Sequence, residues 1–239
     1  ELMRLKIKLA PPSVNYSGPN FLRNNDSILY ALGAIKNVGI ESMKDLYNER
    51  NENGNFHDLN DFINRNNTSV INKKTIEALS CAGAFDEFNV SRAAVFNQAS
   101  EIVKYHKSKN SNSIDLQKDM FGDMNISSFK LTEEEEWKSN YKLMKEYEML
   151  GFYLSGHPLS THKKNYESLM LREYSEVKEN SELHNQKDLL LGGTLLSKKE
   201  KRSARGNNYA FLNFSDLSSI CELIIFESNL RKYRELLLE

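Results

Sequence analysis

The run Ala31-Leu-Gly-Ala-Ile-Lys-Asn-Val-Gly39 passes directly into Ile40-Glu-Ser-Met-Lys-Asp-Leu-Tyr-Asn-Glu-Arg50, and this stretch constrains the fold most. A short apolar segment, a tight turn ending in glycine and an amphipathic run with Ile40, Met43, Leu46 and Tyr47 on one face predict helix, hairpin, helix. A glycine that opens a helix leaves the neighbouring N–H groups uncovered, with the positive end of the helix dipole behind them. The amides from Asn37 to Glu41 are therefore candidates to meet a phosphate, and Lys36 lies within the same turn. A nucleic-acid backbone is the natural ligand of such a turn.

A second unit of the same type follows at Ile71-Asn-Lys-Lys-Thr-Ile-Glu-Ala-Leu-Ser-Cys-Ala-Gly-Ala-Phe85. Asn72 is placed as an N-cap, Thr75, Ile76 and Leu79 carry the helical period, and Gly83 falls where the chain must turn. Either glycine turn alone also reads as an ordinary helix end. Two of them in tandem, with Lys36 in the first, fit a clamp on the two strands of one duplex.

Composition limits the alternatives. The 239 residues are enough for one or two domains with a sizeable core, and no apolar run is long enough to cross a bilayer. Lysine and arginine number 32 against 33 acids, so the net charge of -1 gives no global attraction to nucleic acid and any basic footprint must be local. Cys81 and Cys221 stand far apart in apolar surroundings without metal or redox spacing, as buried thiols of a reducing, cytoplasmic compartment do. The chain begins at Glu1 without a leader-like segment, which predicts a piece of something longer.

In chain order, Leu5 to Pro12 alternates as a strand and Val14 to Asn25 reads as loop. Helical units follow from about Ser27 to Phe88, linked by Phe56-His-Asp-Leu-Asn-Asp-Phe-Ile63, and Ser91 caps another helix to about His106. Lys107 to Ser113 is too polar to pack and predicts a mobile loop. Thr132 with Glu135 forms a capping box for a helix, and Trp137, Tyr141, Met144, Leu150 and Tyr153 supply its apolar face before Gly156 and Pro158 break it. A short helical patch surrounds Lys163 to Leu169.

From Asp188 the period becomes two. Strands are predicted at Leu189 to Leu196, Tyr209 to Phe214 and Ile220 to Phe226, then a helix from Leu230 to Leu238, with Gly192 and Gly193 bending the first strand. These are the opening elements of a five-stranded OB barrel, left open. Lys198, Lys199, Lys201, Arg202 and Arg205 crowd the first strand connection, with Tyr209, Phe211 and Phe214 nearby, a combination that can funnel and stack single-stranded DNA. It reads equally as a solvated hairpin over a barrel interior. The fold class is thus mainly α with a C-terminal partial β-barrel: a tandem helix-hairpin-helix plus an incomplete OB-fold.

Four phrases, Ala31 to Gly39, the Ala78 to Asp86 turn, Gln117-Lys-Asp-Met-Phe121 and Gly151-Phe-Tyr-Leu-Ser-Gly-His-Pro-Leu159, resemble in order the alpha subunits of bacterial DNA polymerase III. The resemblance extends over essentially the whole chain, from Pro11-Pro-Ser-Val-Asn15 to Phe214-Ser-Asp-Leu217 and Ile224-Ile-Phe226, and Gly151 to Leu159 is its most specific stretch. The sequence departs from the family at Asn37, where glycine is usual; asparagine tolerates a left-handed turn better than other side chains.

The resemblance implies the C-terminal half of a replicative polymerase: 1–26 as the end of the fingers, 27–106 as the tandem helix-hairpin-helix region, 107–187 as a clamp-binding loop with connecting helices, and 188–239 as a partial OB-fold. It implies backbone contact with duplex DNA at Lys36, Asn37, Val38, Gly39 and Ile40 and at Ala82, Gly83 and Ala84. It implies a sliding-clamp motif in which Gln117 is a polar anchor beside Asp119, and Met120 and Phe121 fill a pocket. Other holoenzyme subunits are implied partners. The catalytic carboxylates and their magnesium ions are implied upstream, so this segment carries no cofactor, no metal and no catalytic residue and would bind without polymerising. Two other readings stay open: an error-prone paralogue of the same family, and a non-catalytic repair module with the same two DNA-binding elements.

Overall fold

The computed structural model describes residues 5, 7–112, 128–180, 183 and 188–237. The chain divides into two compact units, Glu1–Ser155 and Gly156–Glu239.

In the first unit, β1 (Lys8–Ala10), β2 (Leu22–Asn24) and β3 (Ser27–Leu29) form a small sheet in the order β1-β3-β2, parallel between β1 and β3 and antiparallel between β3 and β2. The first strand is shorter than predicted. The other two escape the sequence pattern because three residues do not register a period of two. The segment after β1 is locked into the helical core. Arg50 Nη1 donates to the carbonyls of Val14 and Ser17 at 2.7 and 2.9 Å. The Asn15 amide meets both backbone groups of Phe56, at 2.9 and 2.8 Å, as a neighbouring strand would.

A 3-10 turn at Leu32–Ala34 precedes α1 (Ile40–Asn53). There follow α2 (Leu59–Arg65), α3 (Lys73–Cys81), α4 (Arg92–Asn97), α5 (Ala99–Asn112) and α6 (Ser139–Leu150). Asp58, Asn72 and Ser91 each accept an N–H three residues on and so start α2, α3 and α4. Phe62 is central to the core, with Phe56 and Phe85 edge-on to it at 5.2 and 5.0 Å. Burial of one such ring is worth about 1.5–3 kcal/mol.

Two predicted features differ in the structure. The polar tract after Lys107 continues α5 to Asn112, because His106 Nε2 meets the Asn66 carbonyl at 2.9 Å and Lys109 reaches Asn64 Oδ1 at 2.8 Å. The predicted helix start at Thr132 has no regular secondary structure, and α6 begins at Ser139. Its acids serve another helix: Glu136 accepts the Arg92 and Ala93 N–H groups at 3.1 and 3.3 Å, and Glu134 accepts from Asn97. Negative charge at the amino end of α4 is stabilising for the same reason it would be at its own helix start.

The tandem unit closes around Arg92. Its guanidinium, 6 % exposed, binds Asp86 bidentately at 2.8 and 2.5 Å, donates to the Cys81 carbonyl at 3.2 Å, and lies 3.7 Å from Glu146. Burial alone would lower its pKa, but the hydrogen bonds and charge of Asp86, with Glu146 and Glu136, hold it above the usual arginine value. Glu146, 2 % exposed, also accepts the N–H groups of Leu154 and Ser155 at 2.8 Å each. The buried residues of α6 are Glu146 and Leu150, whereas Tyr141 and Met144 of the predicted apolar face are exposed.

In the second unit, α7 (Lys163–Ser168) and α8 (Tyr174–Glu179) precede a sheet of β4 (Thr194–Arg202), β5 (Asn208–Ser215) and β6 (Ile220–Phe226), antiparallel in that order and open at both edges. Then comes α9 (Glu227–Tyr233), whose Leu230 packs on Ala210 and Leu212. The first strand starts later than predicted, and the glycine pair precedes it. A Cβ on Gly192 would lie 2.7 Å from the Tyr166 ring, whose hydroxyl donates to the Gly192 and Arg172 carbonyls. Asp216 closes the β5–β6 connection by accepting from Ser218 and Ser219, and takes the Tyr174 N–H that opens α8. His157 Nδ1 accepts the Leu159 N–H at 3.1 Å while Nε2 meets Ser215 Oγ at 2.9 Å.

Gly83→Ala will destabilise the first unit by more than about 1 kcal/mol in urea unfolding: Gly83 has φ +80, and its Cβ would collide with Arg92 Nη2. Burial, partly opposed by Asp216, sets the His157 pKa below its ordinary value. The unfolded chain therefore takes up the proton first as pH falls. His157 contributes full stability to the second unit above about pH 6.5 and loses it as pH drops through the lowered pKa. The urea midpoint of that unit will fall between pH 7.5 and pH 5, with a smaller fall in His157→Gln.

Candidate nucleic-acid interface

The first turn joins an exposed left-handed residue to an uncapped helix start. Asn37, not Gly39, takes the left-handed conformation, at φ +67. Gly39 is the N-cap of α1 at φ -77 and ψ 130, and no side chain caps the helix. The Lys36 N–H is held by the Met149 carbonyl at 3.0 Å and the Val38 N–H by that of Ile35 at 3.2 Å, while the Val38 side chain packs on the core. Lys36, Asn37, Gly39 and Ile40 are exposed. The N–H groups of Gly39, Ile40, Glu41 and Ser42 find no acceptor among the described residues. A Cβ at Gly39 would meet only Ser42 Oγ at 3.4 Å, so neither backbone angle nor internal space demands glycine there. What glycine leaves clear is the outer approach to four unbonded amides.

The second turn is arranged otherwise. Ala82, Gly83 and Ala84 are all buried. Their N–H groups are bonded to the carbonyls of Ala78, Ser80 and Leu79, and the Ala84 carbonyl accepts from Val14. The left-handed glycine closes α3 and admits the Arg92 guanidinium beside it. These three residues therefore do not offer amides to a phosphate, contrary to the expectation. The sequence shows the glycine turn but not the Val14 N–H that meets the Ala84 carbonyl.

In the second unit the basic cluster lies along β4 rather than in a loop, since the strand runs on to Arg202. Alternation then splits it. Lys199 and Lys201 pair across to Phe211 and Tyr209, which pair in turn with Ile224 and Phe226. Lys201 Nζ sits 4.8 Å from the Phe211 ring centre, Tyr209 stands edge-on to Phe211 at 5.6 Å, and Phe226 is 67 % exposed. Lys198 and Arg202 share the other face with Leu212 and Phe214; Lys198 is 3.7 Å from Glu200, and Arg202 Nε donates to the Gly206 carbonyl. Arg205 is exposed in the connecting turn.

Gln117, Asp119, Met120 and Phe121 lie outside the described residues. Among the described residues no group of three or more His, Cys, Asp or Glu side chains could hold a metal ion, and no helix is long and apolar enough to cross a membrane. Cys81 and Cys221 are free and buried, and burial pushes the Cys81 thiol up to about 12.

An uncapped helix behind an exposed left-handed turn, inside a compact helical unit, places the N-terminal unit in the helix-hairpin-helix class, and residues 6–95 match the helix-hairpin-helix motif family. Over nearly all its length the chain is similar to one particular protein. It is 36 % identical over 239 residues to DNA polymerase III subunit alpha of Bacillus subtilis, 34 % over 239 residues to that of Caulobacter vibrioides, and 29 % over 242 residues to that of Escherichia coli. These alignments take in 98, 98 and 99 % of this chain and 20, 20 and 21 % of the respective relatives. The chain is similar to DNA polymerase III alpha subunits over nearly all of its own length and spans about one fifth of the length of these curated relatives.

Proposed function

We propose that this segment grips duplex DNA by its sugar-phosphate backbone for a DNA polymerase III alpha subunit. The observation that carries the reading is the exposed Lys36–Ile40 turn, with the unbonded amides of Gly39, Ile40, Glu41 and Ser42 at the amino end of α1. Amides that meet phosphates add affinity without reading bases, as a polymerase that must hold any template requires. The intact protein is then a DNA-directed DNA polymerase of the cytoplasm, working with other holoenzyme subunits and with magnesium at carboxylates outside this segment.

Two further contacts complete the reading. The β4–β5–β6 face with Lys199, Lys201, Tyr209, Phe211 and Phe226 takes single-stranded template, its rings stacking bases and its ammonium groups meeting phosphates, with Arg205 in the adjacent turn. Gln117, Asp119, Met120 and Phe121 hold the sliding clamp, on the strength of the sequence resemblance. Tethering raises the local concentration of polymerase at the primer end, so individually modest contacts yield processive synthesis.

Gly39→Leu tests the grip. The substitution is compatible with the backbone angle and leaves the unfolding midpoint in place, but it covers the amides. Affinity for a 20-base-pair duplex, followed by fluorescence anisotropy, will fall at least about fivefold, an effect of about 1 kcal/mol. Unchanged affinity would remove the first turn from the interface. Calorimetry against the cognate sliding clamp tests the tether: binding will be lost in a Gln117→Ala, Phe121→Ala double variant, and a wild-type chain that ignores the clamp would withdraw that assignment.

A further inference from the structure

Beside the first turn, α3 and α6 enclose a cleft of about 350 Å³. Asn37, Lys74 and Lys145 line it, with Phe96 and Met149 among its apolar groups. Nothing in the sequence pattern connects these residues, which come from four separate elements. The cleft is built, not incidental: the Met149 carbonyl that holds the Lys36 N–H belongs to the same lining residue, so the turn and the cleft wall are one piece.

The charges around it are unequal. Glu77 faces Lys73 at 3.7 Å and Glu148 binds Lys145 at 2.9 Å, so each acid on the rim has its own cation. Lys74 is exposed and makes no ion pair among the described residues, and the same holds for Lys36. The unpaired ammonium group of Lys74 thus lines a partly apolar trough that Asn37, next in sequence to Lys36, lines as well. A sugar-phosphate strand has the matching form: an anion at regular intervals, with deoxyribose carbons between.

We infer that the DNA strand held at the Lys36–Ile40 turn continues across this cleft, where Lys74 takes a neighbouring phosphate and Phe96 and Met149 receive the sugar face. The inference rests on the duplex-binding reading given above and extends it to residues outside the hairpin motif. Lys74 is a sequence-blind phosphate contact, and the cleft fixes the path of one strand. Lys145, tied to Glu148 and lying 5.9 Å from the Phe96 ring centre, shapes the rim and contributes less.

The test compares Lys74→Ala, Lys74→Glu and Gly39→Leu in the full chain, measuring affinity for a 20-base-pair duplex by anisotropy between 50 and 200 mM salt, with unfolding midpoints as the control for folding. Lys74→Ala will weaken binding about threefold at the lowest salt and reduce the slope of log K against log salt by about 1, and Lys74→Glu will weaken it further. Midpoints will not move, because Lys74 is exposed. If both Lys74 variants bind with wild-type affinity and slope while Gly39→Leu binds weakly, the cleft is not on the path of the strand and the hairpin reading stands alone. If all three variants bind as the wild type does, the hairpin reading fails and this inference with it.

Discussion

A guanidinium taken out of water must be met by negative charge or carbonyl oxygen on its donors, and the first unit is built around that requirement at Arg92. Asp86 takes two donors, the Cys81 carbonyl a third, and Glu146 stands opposite. Because these partners come from the turn after α3, the end of α3 and the middle of α6, the ion network fixes three elements relative to one another. Losing one partner would leave a buried charge uncompensated, at about 3–5 kcal/mol, so the network constrains arrangement more than it adds net stability. Glu146 extends it to the N–H groups of Leu154 and Ser155, which makes the first half of the Gly151–Leu159 phrase a backbone ligand of a buried carboxylate. The second half, through His157, closes onto Leu159 and Ser215 within the other unit. That phrase is specific because so many of its positions answer a polar group elsewhere.

The same constraint explains why one glycine turn is open and the other closed. The turn at Gly83 admits Arg92 and is bonded to the Val14 N–H through the Ala84 carbonyl, so its glycine serves packing. The turn at Asn37 is held by the Met149 carbonyl and is exposed, so its glycine leaves the amides of the helix start uncovered. Both are equally visible as sequence. What separates them, apart from Arg92, is contact with residues distant along the chain, Val14 in one case and Met149 in the other, and such contacts leave no local period.

The features legible in the sequence are those with local causes. Asn72 and Ser91 cap the helices that their positions predict, Asp216 sits in the predicted connection between strands, and Asn37 bears the left-handed angle that asparagine tolerates. The misreadings share another origin, in which a local motif is used at a distance. The acids before Trp137 look like the start of their own helix and instead cap α4. Lys198 to Arg202 look like a loop because they are charged, yet they form a strand whose pairing with β5 is set by backbone hydrogen bonds indifferent to side-chain polarity. Once in a strand, alternate basic residues must point to opposite faces, and Lys199 and Lys201 join the aromatic one.

That alternation also bears on how a chain with net charge -1 can serve nucleic acid at all. Field strength at a surface depends on the charges within about 10 Å at physiological salt, not on the total. Here several acids are assigned to cations: Glu41 to Lys44, Glu49 and Asp61 to Arg65, Asp86 and Glu146 to Arg92, Glu148 to Lys145. Lys36, in the turn that carries the open amides, and Lys74, in the neighbouring cleft, have no ion pair among the described residues. On the proposed duplex-binding reading, each phosphate contact is individually weak, and residence comes from several contacts acting together.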